Sequence, residues 1–122
     1  MKRINVLLSS RPKLLSEVIR SLIEHQSDMK VVGEVLDPLQ LLPAARKTAV
    51  DAVIITPLNA NGEPKICHLL LAEHPLVIIV TQSSKGDAAY LYRAGVPKQR
   101  LEEPTGYSIL AIIRQLCSPI VS

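Results

Sequence analysis

Four short apolar runs constrain this chain more than any other feature. They are residues 3–8 (RINVLL), 29–36 (MKVVGEVL), 51–55 (DAVII) and 76–81 (LVIIVT). Each is too short for a buried helix, and each is bounded by turn residues, so each reads as a strand. The last run is apolar throughout. Both of its faces must therefore be covered, as in a parallel sheet sandwiched between helices.

Segments of helical period separate the runs. Leu14, Leu15, Val18, Ile19, Leu22 and Ile23 form one stripe of a helix, with Glu17, Arg20 and Glu24 opposite. Asp37 and Pro38 signal a second helix start, as N-cap and first helical residue. Pro43 falls inside that segment, where a proline in a helix interior costs about 3 kcal/mol, so a kink or a one-turn start is expected. Residues 57–64 (PLNANGEP) read as a loop, and residues 65–73 as a third helix carrying Ile66, Leu69 and Leu70. Residues 86–94 are expected to form a small-residue helix closed by Gly95. A short strand is expected near residues 99–101, and Ile109, Leu110, Ile112, Ile113 and Leu116 mark a final amphipathic helix.

The alternation predicts five β-α units in one α/β domain spanning residues 1–122. Right-handed crossovers place helices on both faces of a parallel sheet. Five such strands point to the flavodoxin-like doubly wound order 2-1-3-4-5. The functional edge is then the C-terminal ends of the strands, which hold Ser9, Ser10, Arg11, Thr56 and Thr81.

Composition narrows the function. With 48% apolar residues and a net charge of +3, the chain is neither disordered nor strongly basic. The cations are scattered, and only three tyrosines supply aromatic rings. This domain alone is therefore not expected to bind nucleic acid. No run approaches the ~20 apolar residues of a membrane span. The apolar stretch after Met1-Lys2-Arg3 is too short for a secretory signal, so the expected location is cytoplasmic. Cys67 and Cys117 sit among aliphatics and read as buried thiols. Cys67, His68 and His74 lack a second pair with metal-ligand spacing. There is no glycine-rich phosphate loop and no nucleophile elbow. No cofactor and no enzymatic activity are expected.

The order of the parts resembles the bacterial two-component receiver domain, closest to the receivers that precede LuxR-type DNA-binding domains. Val31-Val32-Gly33-Glu34, Asp37 and Asp51-Ala52-Val53-Ile54-Ile55 match that subfamily's V-V-G-E, D and P-D-V-V-L-L-D pattern without a gap. Glu73-His74-Pro75 followed by an apolar run ending in Thr81 matches R-H-P…V-L-T, and Arg93-Ala94-Gly95 matches R-A-G. The resemblance covers roughly residues 3–118. It implies a site with two acids after the first strand for Mg²⁺, a phosphoacceptor Asp after the third, a Ser or Thr after the fourth and a Lys after the fifth.

Only Thr81 keeps the pattern. Ser9-Ser10 or Ser10-Arg11 replace the acid pair, Thr56 replaces the acceptor, and Glu102 or Glu103 replaces the lysine. Mg²⁺ wants hard oxygen ligands that include carboxylates, and neutral hydroxyls with an arginine do not supply that charge. The expectation is a pseudo-receiver: a phosphorylation-independent signalling or interaction module. The resemblance implies a protein partner or homodimer on the face of the fourth helix, fifth strand and fifth helix, including Tyr90, Tyr92, Gln99, Arg100 and Tyr107. The alternative is a small-anion or small-ligand binding protein or enzyme on the same scaffold. Arg11, Ser83, Ser84 and Lys85 are its candidate anion site, because the last three precede an expected helix N-terminus.

Overall fold

A computed structural model describes residues 4–10, 13–35, 40–56, 65–82, 89–101 and 106–117. Within these segments the side chains of residues 10, 13–18, 56, 65, 82, 98 and 106 lie outside the description. Among the described residues, six strands form one sheet: β1 (Ile4–Ser10), β2 (Met29–Val35), β3 (Ala52–Thr56), β4 (Ile78–Gln82), β5 (Ala89–Arg93) and β6 (Val96–Leu101). Their order is β2-β1-β3-β4-β5-β6, which contains the expected flavodoxin-like order 2-1-3-4-5. Strands β1 to β4 pair in parallel, and β5 and β6 continue the sheet antiparallel.

The runs of β1, β3 and β4 fold as strands that bury both of their faces, whereas β2, at the sheet edge, buries Met29 and leaves Lys30 and Glu34 exposed. Val6 and Leu8 point into one core, and Leu7 points into the other. Ala52 and Ile54 join the first core, and Val53 and Ile55 the second. The helices α1 (Lys13–Glu24) and α4 (Gly106–Cys117) close the first core through Ile19, Ile23, Ile109, Leu110 and Ile113. The helices α2 (Leu41–Lys47) and α3 (Lys65–Glu73) close the second through Leu41, Ala45, Ile66, Cys67 and Leu70. Arg20, paired with Glu24 at 3.4 Å, lies on the solvent side of α1, as the stripe requires.

Pro43 does not break α2. Residues 36–39 lie outside the described residues, and α2 starts at Leu41 after Gln40. Pro43 is therefore in the first turn, where backbone N–H groups have no partner within the helix. The expected cost does not arise.

The larger correction concerns residues 86–94. Residues 83–88 lie outside the described residues, and Ala89–Arg93 is the strand β5 rather than the end of a helix. Ala89 and Leu91 enter the α1/α4 core, while Tyr92 enters the α2/α3 core with Tyr90 packed against it. Period-two burial on both faces suits a strand inside a sheet and has no counterpart on a surface helix. Gly95 has φ 77° and sits in a two-residue turn between the paired residues Arg93 and Val96. The left-handed conformation expected of a helix cap is thus used to reverse a hairpin. The short strand expected at 99–101 is longer, Val96–Leu101, and forms the sheet edge, where Pro97 is tolerated.

Polar groups lock the N-terminal end of the parallel strands. The Asn5 backbone N–H donates to the Asp51 carboxylate at 2.9 Å, and Asn5 Nδ2 donates to the Ala49 carbonyl at 3.0 Å. Asp51 N–H donates to the Asn5 carbonyl at 2.9 Å, and Ile78 N–H to the Asp51 carbonyl at 3.1 Å. On the α1/α4 side, Arg114 donates to both Asp28 carboxylate oxygens, at 2.5 and 3.0 Å, and to Gln26 Oε1 at 2.6 Å.

Candidate functional site

The C-terminal ends of β1, β3 and β4 bring four of the sequence-predicted positions, Ser9, Ser10, Thr56 and Thr81, to one edge. Ser10 and Thr56 are register partners at the last rung between β1 and β3. One rung earlier, a single row crosses the whole sheet: Val35, Ser9, Ile55, Thr81, Tyr90 and Arg100. Alternation places this row on the α2/α3 face, with Ile55 in that core. Ser9 is 1% exposed and Thr81 is 5% exposed. The Ser9 Oγ has no hydrogen-bond partner among the described residues. The side chains of Ser10 and Thr56, and all of Arg11, Ser83, Ser84, Lys85, Glu102 and Glu103, lie outside the described residues.

Among the described residues, no carboxylate stands at this edge. Ser9 and Thr81 offer neutral hydroxyls there, and Ser10 and Thr56, which end β1 and β3, are hydroxyl residues too. A hard divalent cation requires carboxylate charge to offset its dehydration. Asp51, the first residue of the D-A-V-I-I match, is bound into the opposite end of the sheet. Five residues of strand at ~3.3 Å each put it about 17 Å from the edge that Thr56 reaches. Among the described residues, no three His, Cys, Asp or Glu side chains come together.

The expected partner face does not form as one surface. Its fourth helix is replaced by β5, and its residues are divided between the two sides of the sheet. Tyr92 is 7% exposed within the α2/α3 core. Tyr90 is half-buried on the same side, opposite the exposed Arg100. Gln99 pairs with Leu91, whose side chain belongs to the α1/α4 core. Tyr107 is 70% exposed at the start of α4, on that second side. Strand alternation, absent from the helical reading, separates residues that a helix and a strand would have gathered.

The hairpin creates a feature absent from the sequence reading. A groove of about 670 Å³ runs between the second half of α3 and the β5–β6 hairpin. Leu71 and Ala72 form one wall, and Tyr92, Val96 and Pro97 form the other. The signal for it was Tyr90-Leu91-Tyr92 alternation followed by Ala94-Gly95, a strand-and-turn pattern within a segment of good helix formers.

Cys67 is fully buried in the α2/α3 core, while the neighbouring His68 is exposed. Their divergence separates them as metal ligands and matches the reading of a core thiol beside a surface imidazole. Cys117 is half-buried on the other side of the sheet, and neither cysteine is in a disulfide. Burial, with the Asp51 carboxylate adding to it, pushes the Cys117 thiol up to about 11. The hydrogen bond from Arg114 holds the Asp28 carboxyl below the usual range. Neither perturbed group lies at the hydroxyl edge.

No protein-family model matches the chain, and no curated protein matches it in sequence. Solved structures do match its fold. The response regulator domain of CheB from Thermotoga maritima is 20% identical, with a TM-score of 0.69 over 97% of this chain and 100% of that one. The RcsB response regulator of Salmonella typhimurium, solved in work on conformational dynamism for DNA interaction, is 21% identical, with a TM-score of 0.58 over 68% of this chain. The chain spans 44% of the RcsB chain's length. At these identities the likeness is one of fold, a flavodoxin-like, receiver-type α/β domain; the antiparallel hairpin after the fourth strand is a feature of this chain's sheet.

Proposed function

We propose that this chain is a pseudo-receiver: a signalling or interaction module of a two-component type pathway that works through its surfaces and not through aspartyl phosphorylation. Within the receiver family, the sequence motifs favour the LuxR-associated subfamily and a cytoplasmic setting. The observation that carries the reading is the hydroxyl edge. Phosphoryl transfer to a receiver draws on carboxylates for the metal and for the nucleophile, and Ser9, Ser10 and Thr56 occupy those strand ends. A threonine hydroxyl must lose a proton to attack phosphorus, whereas a carboxylate is already an anion at neutral pH. Without the metal, the transferring phosphoryl oxygens lack their principal electrostatic clamp.

Incubation with acetyl phosphate and Mg²⁺, followed by intact-mass measurement, tests this directly. The expected outcome is no phosphoryl adduct. An adduct removed by hydroxylamine, the signature of an acyl phosphate, refutes the reading.

A second reading, a small-anion binder on the same scaffold, is favoured by the buried Ser9 Oγ that lacks a partner among the described residues. It adds Arg11, Ser83, Ser84 and Lys85 to that hydroxyl. Sulfate would then raise the melting temperature more than chloride at equal ionic strength, and Arg11→Ala with Lys85→Ala would remove the difference. Because sulfate also stabilises proteins by exclusion from their surfaces, an unchanged sulfate effect in the double variant rejects this reading.

A further inference from the structure

We draw no further inference here: the strongest candidate, the apolar groove between α3 and the β5–β6 hairpin, lined by Leu71, Ala72, Tyr92 and Val96, carries none, because nothing in the structure shows what covers it.

Discussion

Ser9→Ala is expected to stabilise the protein, against the usual direction for a buried substitution. Ser9 is 1% exposed, and its Oγ has no partner among the described residues. An unsatisfied buried hydroxyl costs about 1–3 kcal/mol, through the water contacts that it loses without replacement. Alanine removes that cost and leaves a void of roughly 10 Å³, worth only about 0.2 kcal/mol at ~24 cal/mol per Å³. The balance is a gain of about 1 kcal/mol or more, which for a domain of this size raises the melting temperature by about 3–6 °C. Thermal unfolding followed by far-UV circular dichroism, with urea unfolding as a second measure, reads the effect. Ser9→Asp at the same position should do the reverse. It places a charge in the row between Val35 and Ile55 with no cation beside it among the described residues of that row except the distant Arg100, and it should unfold or severely destabilise the chain. A fall of several degrees in Ser9→Ala would refute the reasoning, because it would mean that the hydroxyl makes a hydrogen bond in solution.

Three further outcomes follow from individual contacts. Gly95→Ala forces an L side chain to φ 77° at a position with no atom within 4 Å of the added Cβ. The loss should be backbone strain alone, about 1–2 kcal/mol in urea unfolding, and a neutral result would contradict the hairpin geometry. Asp28 titrates below the usual Asp value because of Arg114, so its contribution is present above about pH 4 and is lost as pH falls through the lowered folded value. The Asp28 and Arg114 side chains are 35% and 40% exposed, so the effect is small and salt-sensitive; Asp28→Asn should flatten the acid limb of a stability-pH curve, and an unchanged limb would count against the pair. At pH 8, Cys117, with its thiol at about 11, should be roughly a thousandth thiolate and react far more slowly with a disulfide reagent than free cysteine. Its rate should rise with pH up to that value, and fast labelling at pH 8 would show that the thiol is not buried against Asp51.

Much of this architecture is legible in the chain itself, for a definite reason. The four runs of β1 to β4 and the stripes of α1, α3 and α4 are patterns in which most burial follows from the segment's own periodicity; Leu76, expected in the fourth strand, precedes β4 and is exposed, as is Leu69 of the α3 stripe. A run apolar on both faces, as in β1 and β3, suits an inner parallel strand, so the parallel arrangement of β1 to β4 follows from alternation and handedness. The hydroxyls at Ser9, Ser10 and Thr56 are equally legible, since they are simply the residues that end those runs.

Residues 86–101 are different. Ala89, Leu91, Arg93 and Ala94 favour a helix in isolation, and Gly95 in a left-handed conformation closes a helix or a hairpin equally well. Local preference could not separate the two. The free edge of β4 decides it: pairing there satisfies backbone groups of both strands and lets Ala89 and Leu91 enter one core while Tyr92 enters the other. That choice sets Tyr90 and Tyr92 together on the α2/α3 face and forms the groove beside α3. The sequence alone therefore determined the parallel scaffold and the chemistry of its strand ends. Tertiary structure decided the course of residues 89–101, because a segment with two comparable local conformations takes the one whose side chains the rest of the molecule can bury on both sides.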